Sequence, residues 1–166
     1  MTAFTVSSMQ NLPVGLRSVI GKHFADSRWK ATCDYFNNLS ERYRLTLCFH
    51  AQLKKRHSVF RLEEMDTEAR GRIVCAMDEL RSAFSRLRKQ GVNHSTFLSW
   101  LSLSERRTLF MHAGLSEAEF NQPYWRIDDE SCQWRDKVIK AINELVSLFN
   151  YAPEILTAVK PEDYLN

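Results

Sequence analysis

Apolar residues recur along almost the whole chain at intervals of three and four, and no stretch alternates strictly enough to mark a half-buried strand. The pattern predicts an all-α protein, a compact multi-helix domain. Leu12-Pro13 opens a short helix with Leu16, Val19, Ile20 and Phe24 on one side. Asp26 or Ser27 is placed to cap the next, which carries Trp29, Cys33 and Phe36. Ser40 starts a helix running to about Ala51. The clearest helix covers 66–90: Ile73, Met77, Leu80, Phe84 and Leu87 form one stripe, Asp66 or Thr67 caps it and Gly91 ends it. Shorter helices are expected over 93–101 and 104–113, and a long one over 129–150. Pro153 and Pro161 break the remaining tail into short pieces.

Parts of this pattern repeat. Residues 60–84, "FRLEEMDTEARGRIVCAMDELRSAF", align without a gap on residues 125–149, "WRIDDESCQWRDKVIKAINELVSLF". Identities include Arg61/Arg126, Arg70/Arg135, Ala76/Ala141, Glu79/Glu144, Leu80/Leu145 and Phe84/Phe149. Upstream, "LSER" at 39–42 recurs at 103–106, and "FHAQL" at 49–53 matches "MHAGL" at 111–115 once a two-residue length difference is allowed. The expectation is two diverged copies of a helix-turn-long-helix unit, over 39–91 and 92–150, preceded by N-terminal helices in 1–38 and followed by a tail in 151–166. In such a scaffold Phe60 and Trp125 would fill the core, and Arg61 and Arg126 would pair with nearby acids.

A length of 166 residues suffices for a core without disulfides or metal. The opening "MTAFTVSSMQNLPVG" has neither a basic start nor an apolar run of signal-peptide length, and nothing later approaches a membrane span. A soluble protein of the cytoplasm is expected. Cys33, Cys48, Cys75 and Cys132 lie far apart without a CxxC pair, so they read as free buried thiols. The net charge of +3 is unevenly spread: residues 1–91 hold 16 Lys and Arg against 9 Asp and Glu, whereas residues 92–166 hold 7 against 11. The first half favours a polyanion and the second would repel it.

Candidate chemistry can be weighed on that background. The stretch "LFMHAGLSEAEFN" has the rhythm of a helix-turn-helix, with a turn at Ala113-Gly114-Leu115 and Ser116 as the next cap. Its second element, however, would present Glu117, Glu119, Asn121 and Gln122, and carboxylates facing phosphates are unfavourable. The counterpart "HAQLKKRHSVFR" places Lys54, Lys55 and Arg56 after the same kind of turn. With Arg81, Arg88 and Lys89 on the long helix they form the candidate nucleic-acid surface, although cations near a helix C-terminus also satisfy its dipole. No glycine-rich phosphate loop, GxSxG, HExxH or paired metal-ligand motif occurs, and His23, His50, His57, His94 and His112 are scattered. His50 and His112 occupy matching positions and are expected to bond to backbone at helix ends. No enzyme, cofactor or metal is expected. The tail, with Tyr151, Ile155, Leu156 and Tyr164, either docks on the domain or is offered to a groove on a partner.

In length, helical character and its "WKATCDYFNNLSERYRLTLCFHA" unit, the chain resembles the replication B proteins of temperate enterobacterial phages. That resemblance implies a helicase loader, which binds the host's hexameric replicative helicase and helps place it on single-stranded DNA, and it carries no catalytic residues. On this reading Trp125, Tyr151, Ile155, Leu156 and Tyr164 contact the partner, while the basic first-half patch lies near DNA. Two other readings stay open: a phage inhibitor of a host nuclease or helicase, and a helical DNA-binding regulator.

Overall fold

The computed structural model describes residues 14–85 and 92–150, with side chains described over 26–85 and 92–149. Among these are six α-helices and no strand: α1 (Val14–Asn37), α2 (Glu41–His50), α3 (Thr67–Ser85), α4 (His94–Trp100), α5 (Leu103–His112) and α6 (Arg135–Asn150). Leu87, Gly91 and the tail from residue 151 lie outside the described residues.

Local chemistry sets several of these boundaries. The Asp66 carboxylate accepts from the Ala69 amide at 2.8 Å to start α3, and the Asn93 side chain accepts from the Thr96 amide at 2.8 Å to start α4. At α5, Ser102 Oγ accepts from the Glu105 amide at 3.1 Å while Glu105 Oε1 accepts from the Ser102 amide at 2.8 Å, a complete capping box. The second LSER therefore does not open its helix as the first does. Ser40 is the cap of α2, but Ser102 rather than Ser104 caps α5, so the matched register of the two helices is set by Ser40 and Ser102.

Three expectations are corrected. Asp26 and Ser27 cap nothing, because α1 runs unbroken through them. Asp and Ser cost only tenths of a kcal/mol inside a helix, less than a break would forfeit in packing. The last helix begins at Arg135 rather than near Asp129, since Asp129 Oδ1 accepts from the amide and hydroxyl of Ser131 at 2.9 and 2.8 Å and holds a turn instead. Cys75 is exposed, while Cys33, Cys48 and Cys132 are buried free thiols.

One buried cluster runs from Cys33 to Phe149. Helix α3 lies on α6 and α2 on α5, and the ends of the two long helices meet at Phe84, whose ring approaches Phe97 at 5.6 Å and Phe149 at 6.2 Å. Ile73, Met77 and Leu80 on α3, with Val138, Ile142 and Leu145 on α6, are fully buried. Each such side chain contributes about 1.5–3 kcal/mol of transfer free energy.

The turns after His50 and His112 are built alike. The Leu53 amide donates to the Cys48 carbonyl at 2.9 Å and the Leu115 amide to the Phe110 carbonyl at 3.1 Å. Each turn passes through the left-handed region, at Gln52 (φ 59°) and at Gly114 (φ 85°).

Candidate functional site

At the centre of the fold the paired helices α2 and α5 exchange polar contacts. Thr46 Oγ1 lies 2.6 Å from His112 Nδ1, and Thr108 Oγ1 lies 2.8 Å from His50 Nδ1. The opposite nitrogens reach carboxylates on the long helices: His50 Nε2 is 2.8 Å from Glu79, and His112 Nε2 is 3.1 Å from Glu144. Arg42 joins the second set, pairing with Glu144 and donating to the His112 carbonyl at 2.7 Å. The two histidines thus bond side chains on neighbouring helices rather than backbone.

Burial, reinforced by the Arg42 charge, holds the His112 imidazole below its ordinary pKa. With Glu144 ionised, a neutral ring must donate Nε2–H to it, and Nδ1 then accepts the Thr46 hydroxyl hydrogen at 2.6 Å in competition with the Arg42 carbonyl at 3.1 Å. Burial alone would raise the Glu144 carboxyl, but hydrogen bonds from Arg42 and His112 and the Arg42 charge bring it below its usual value.

A hydroxyl, an imidazole and a carboxylate in sequence have the order of a nucleophilic triad, so access decides what they can do. Thr46 and Thr108 are 2% and 1% exposed, so neither hydroxyl is presented to solvent as an attacking nucleophile would be. The geometry locks helices together.

The outward-facing chemistry lies in the two linkers that leave this centre. After α2 a 3₁₀ segment, Lys55–Val59, is anchored by buried Ser58. Lys54, Lys55 and Arg56 are exposed and, among the described residues, form no ion pair. Val59 is 67% exposed and Phe60 40%, with the His57 ring edge-on to Phe60 at 5.9 Å. Arg61 turns back to Glu63, its Nε donating at 2.6 Å. Burial would raise the Glu63 carboxyl, but hydrogen bonds from Asn37 and Arg61 bring it down to about 2.

After α5 the chain makes only a single 3₁₀ turn, Glu117–Glu119, where the Ser116 amide and hydroxyl donate to Glu119 at 3.0 and 2.9 Å. The suspected recognition helix is therefore one turn long, with carboxylates on it. A second 3₁₀ segment, Tyr124–Asp128, carries Trp125 at 63% exposure. Tyr124 stands edge-on to Trp125 at 5.3 Å, and the Arg106 guanidinium lies over the Tyr124 ring at 4.8 Å. Arg126 donates to Gln122 at 3.0 Å rather than to an acid.

Phe60 and Trp125 do not fill the core, as their positions in the repeat pattern led us to expect. In both linkers the following aliphatic residue does so instead: Leu62 is fully buried two positions after Phe60, and Ile127 two after Trp125. Of the candidate nucleic-acid residues, Lys54, Lys55 and Arg56 sit together. Arg81 is half-buried on α3, about 13 Å further along the helix than Arg72, whose guanidinium reaches the Gln52 carbonyl at 3.5 Å. Arg88, Lys89, Tyr151, Ile155, Leu156 and Tyr164 lie outside the described residues. Lys55 and Glu117 line one apolar cavity of about 350 Å³ with Leu45, Phe49, Met111 and Phe120, so the two linkers begin on the same side of the α2–α5 pair.

No helix among the described residues is long and apolar enough to cross a membrane. Likewise, no group of three or more His, Cys, Asp or Glu side chains among them could hold a metal ion. What the fold defines is an all-α protein whose central threonines and histidines are tied to one another, with Phe60, Trp125 and the three cations of the first linker turned outward. The model of the phage replication gene B protein family matches residues 1–166, the whole chain, and the protein belongs to that family. No solved structure matches it. Its role lies in phage DNA replication.

Proposed function

We propose that the chain is a non-enzymatic replication protein that binds the host's hexameric replicative helicase in the bacterial cytoplasm and helps place it on single-stranded DNA. The observation that carries this reading is Trp125. A tryptophan 63% exposed, braced by Tyr124 in a linker that holds one Arg against five Asp and Glu, is poorly suited to phosphate and well suited to a protein pocket. The basic linker on the same side of the α2–α5 pair provides a surface for the strand, as a protein that brings strand and helicase together requires. Tyr151, Ile155, Leu156 and Tyr164 complete the proposed partner contacts.

The test is co-elution of the full-length chain with purified replicative helicase on size exclusion, followed by delivery of helicase to a single strand coated with binding protein. A stable complex that promotes loading, weakened roughly tenfold or more by Trp125→Ala, is expected. A complex that lowers helicase activity without loading would favour the inhibitor reading, and no complex at all would end the partner hypothesis.

A further inference from the structure

We propose that Phe60, with Lys54, Lys55 and Arg56, forms a stacking site for single-stranded nucleic acid. Such sites combine cations that follow the phosphates with an exposed aromatic face on which a base lies. This linker carries three exposed cations and a phenylalanine that is 40% exposed within seven residues. Lys54, Lys55 and Arg56 are exposed, and among the described residues none spends its charge on a carboxylate. Phe60 is held rather than loose: its amide donates to the His57 carbonyl at 3.2 Å, the His57 ring braces it edge-on, and Ser58 and Leu62 on either side are buried. A preset aromatic loses little freedom on binding.

A duplex offers its phosphates but keeps its bases stacked on each other, so cations alone would serve it. The exposed aromatic selects the single strand. The site extends the DNA side of the role proposed above and uses none of the residues assigned to the helicase, so the two fail separately.

The experiment is fluorescence anisotropy of the full chain with labelled oligothymidylate of about 20 nucleotides, longer than the roughly 4–16 that one OB fold covers, and with a duplex of equal length. Binding should favour the single strand, and Phe60→Ala should weaken it roughly 5- to 100-fold. Phe60→Trp should retain it, showing that the ring rather than the fold matters. Replacing Lys54, Lys55 and Arg56 with Ala should flatten the salt dependence by about 2 in log–log slope, at about 0.7 per phosphate contact. Equal or tighter duplex binding with Phe60→Ala unchanged would overturn the stacking site, as would no binding at low salt. Retained oligonucleotide binding with lost helicase capture in Phe60→Ala would also overturn it, making Phe60 a protein anchor. Loss of helicase capture in Trp125→Ala with normal oligonucleotide binding would leave it standing.

Discussion

The linkers over 53–65 and 115–130 leave matching turns and return to matching long helices, yet they face solvent with opposite charge. The first holds four Lys and Arg against two Glu, and the second one Arg against five Asp and Glu. Each puts an aromatic outward, Phe60 or Trp125, and buries an aliphatic two residues on, Leu62 or Ile127. Where the linkers must fit the core they agree, and where they meet solvent they differ. Packing therefore constrains the shared features, while the exposed charge is free to answer to what each linker binds.

The agreement can be broken from inside. Phe84→Ala, at the point where the two long helices and α4 meet, should remove about 3–5 kcal/mol, seen as a fall in denaturation midpoint without a new intermediate. The crossed histidines come next, and they should not be equal. His112 and its carboxylate partner are both shielded, whereas Glu79 is 64% exposed beside His50. His112→Ala should cost about 2–3 kcal/mol in urea unfolding and His50→Ala about 1. Equal losses would mean that burial of the carboxylate does not distinguish the two sets.

Acid should act on the same centre. The folded pKa of His112 lies below its ordinary 6.5, so the unfolded chain binds more protons and stability falls as the pH drops through that value. Glu144 and Glu63 are held below 4.5, which adds a further loss as the pH falls below that point. The melting temperature should therefore drop between about pH 7.5 and 5.5, by about 2–4 °C for each kcal/mol lost, and His112→Gln should remove most of that drop. An unchanged slope in His112→Gln would place the titration elsewhere. Smaller still is the difference between the two turns: Gln52→Gly should stabilise by up to about 1 kcal/mol, because Gln52 occupies a backbone region that glycine enters freely. Gly114→Ala should destabilise by a similar amount, from backbone strain alone, since a Cβ there meets nothing within 4 Å.

Much of the scaffold was legible in the sequence because its signals are local. Asp66 and Asn93 cap the helices they precede, and the stripe Ile73, Met77, Leu80 and Phe84 is buried as its spacing requires. Errors fell where two local signals compete. Asp129 has the chemistry of a helix cap but spends it on Ser131, and Asp26-Ser27 is absorbed into a helix held by its packing. In the linkers there is no helical period to tell inside from outside, so the repeat pattern assigns Phe60 and Trp125 to the core, whereas the partner reading of the second half already puts Trp125 on the surface.

The crossed polar centre was missed because only the packing of α2 on α5 joins Thr46 to His112. A signal was nevertheless available: Thr and His each recur with the same separation, at 46 and 108 and at 50 and 112. The three neighbouring cations were readable from "LKKRH", whereas Arg81 was grouped with them on charge although Arg72 is the α3 arginine that reaches their turn.

The most direct measurement sets Phe60→Ala and Trp125→Ala side by side, each titrated against labelled oligothymidylate and against purified replicative helicase, with melting curves to show that both variants fold. Both residues are partly exposed, so each change should cost about 1–2 kcal/mol of stability and leave the fold intact. The expected result is a clean crossing: Phe60→Ala loses the strand and keeps the helicase, and Trp125→Ala does the reverse. If both variants lost the same ligand, or neither lost any, the two linkers would not have divided their duties.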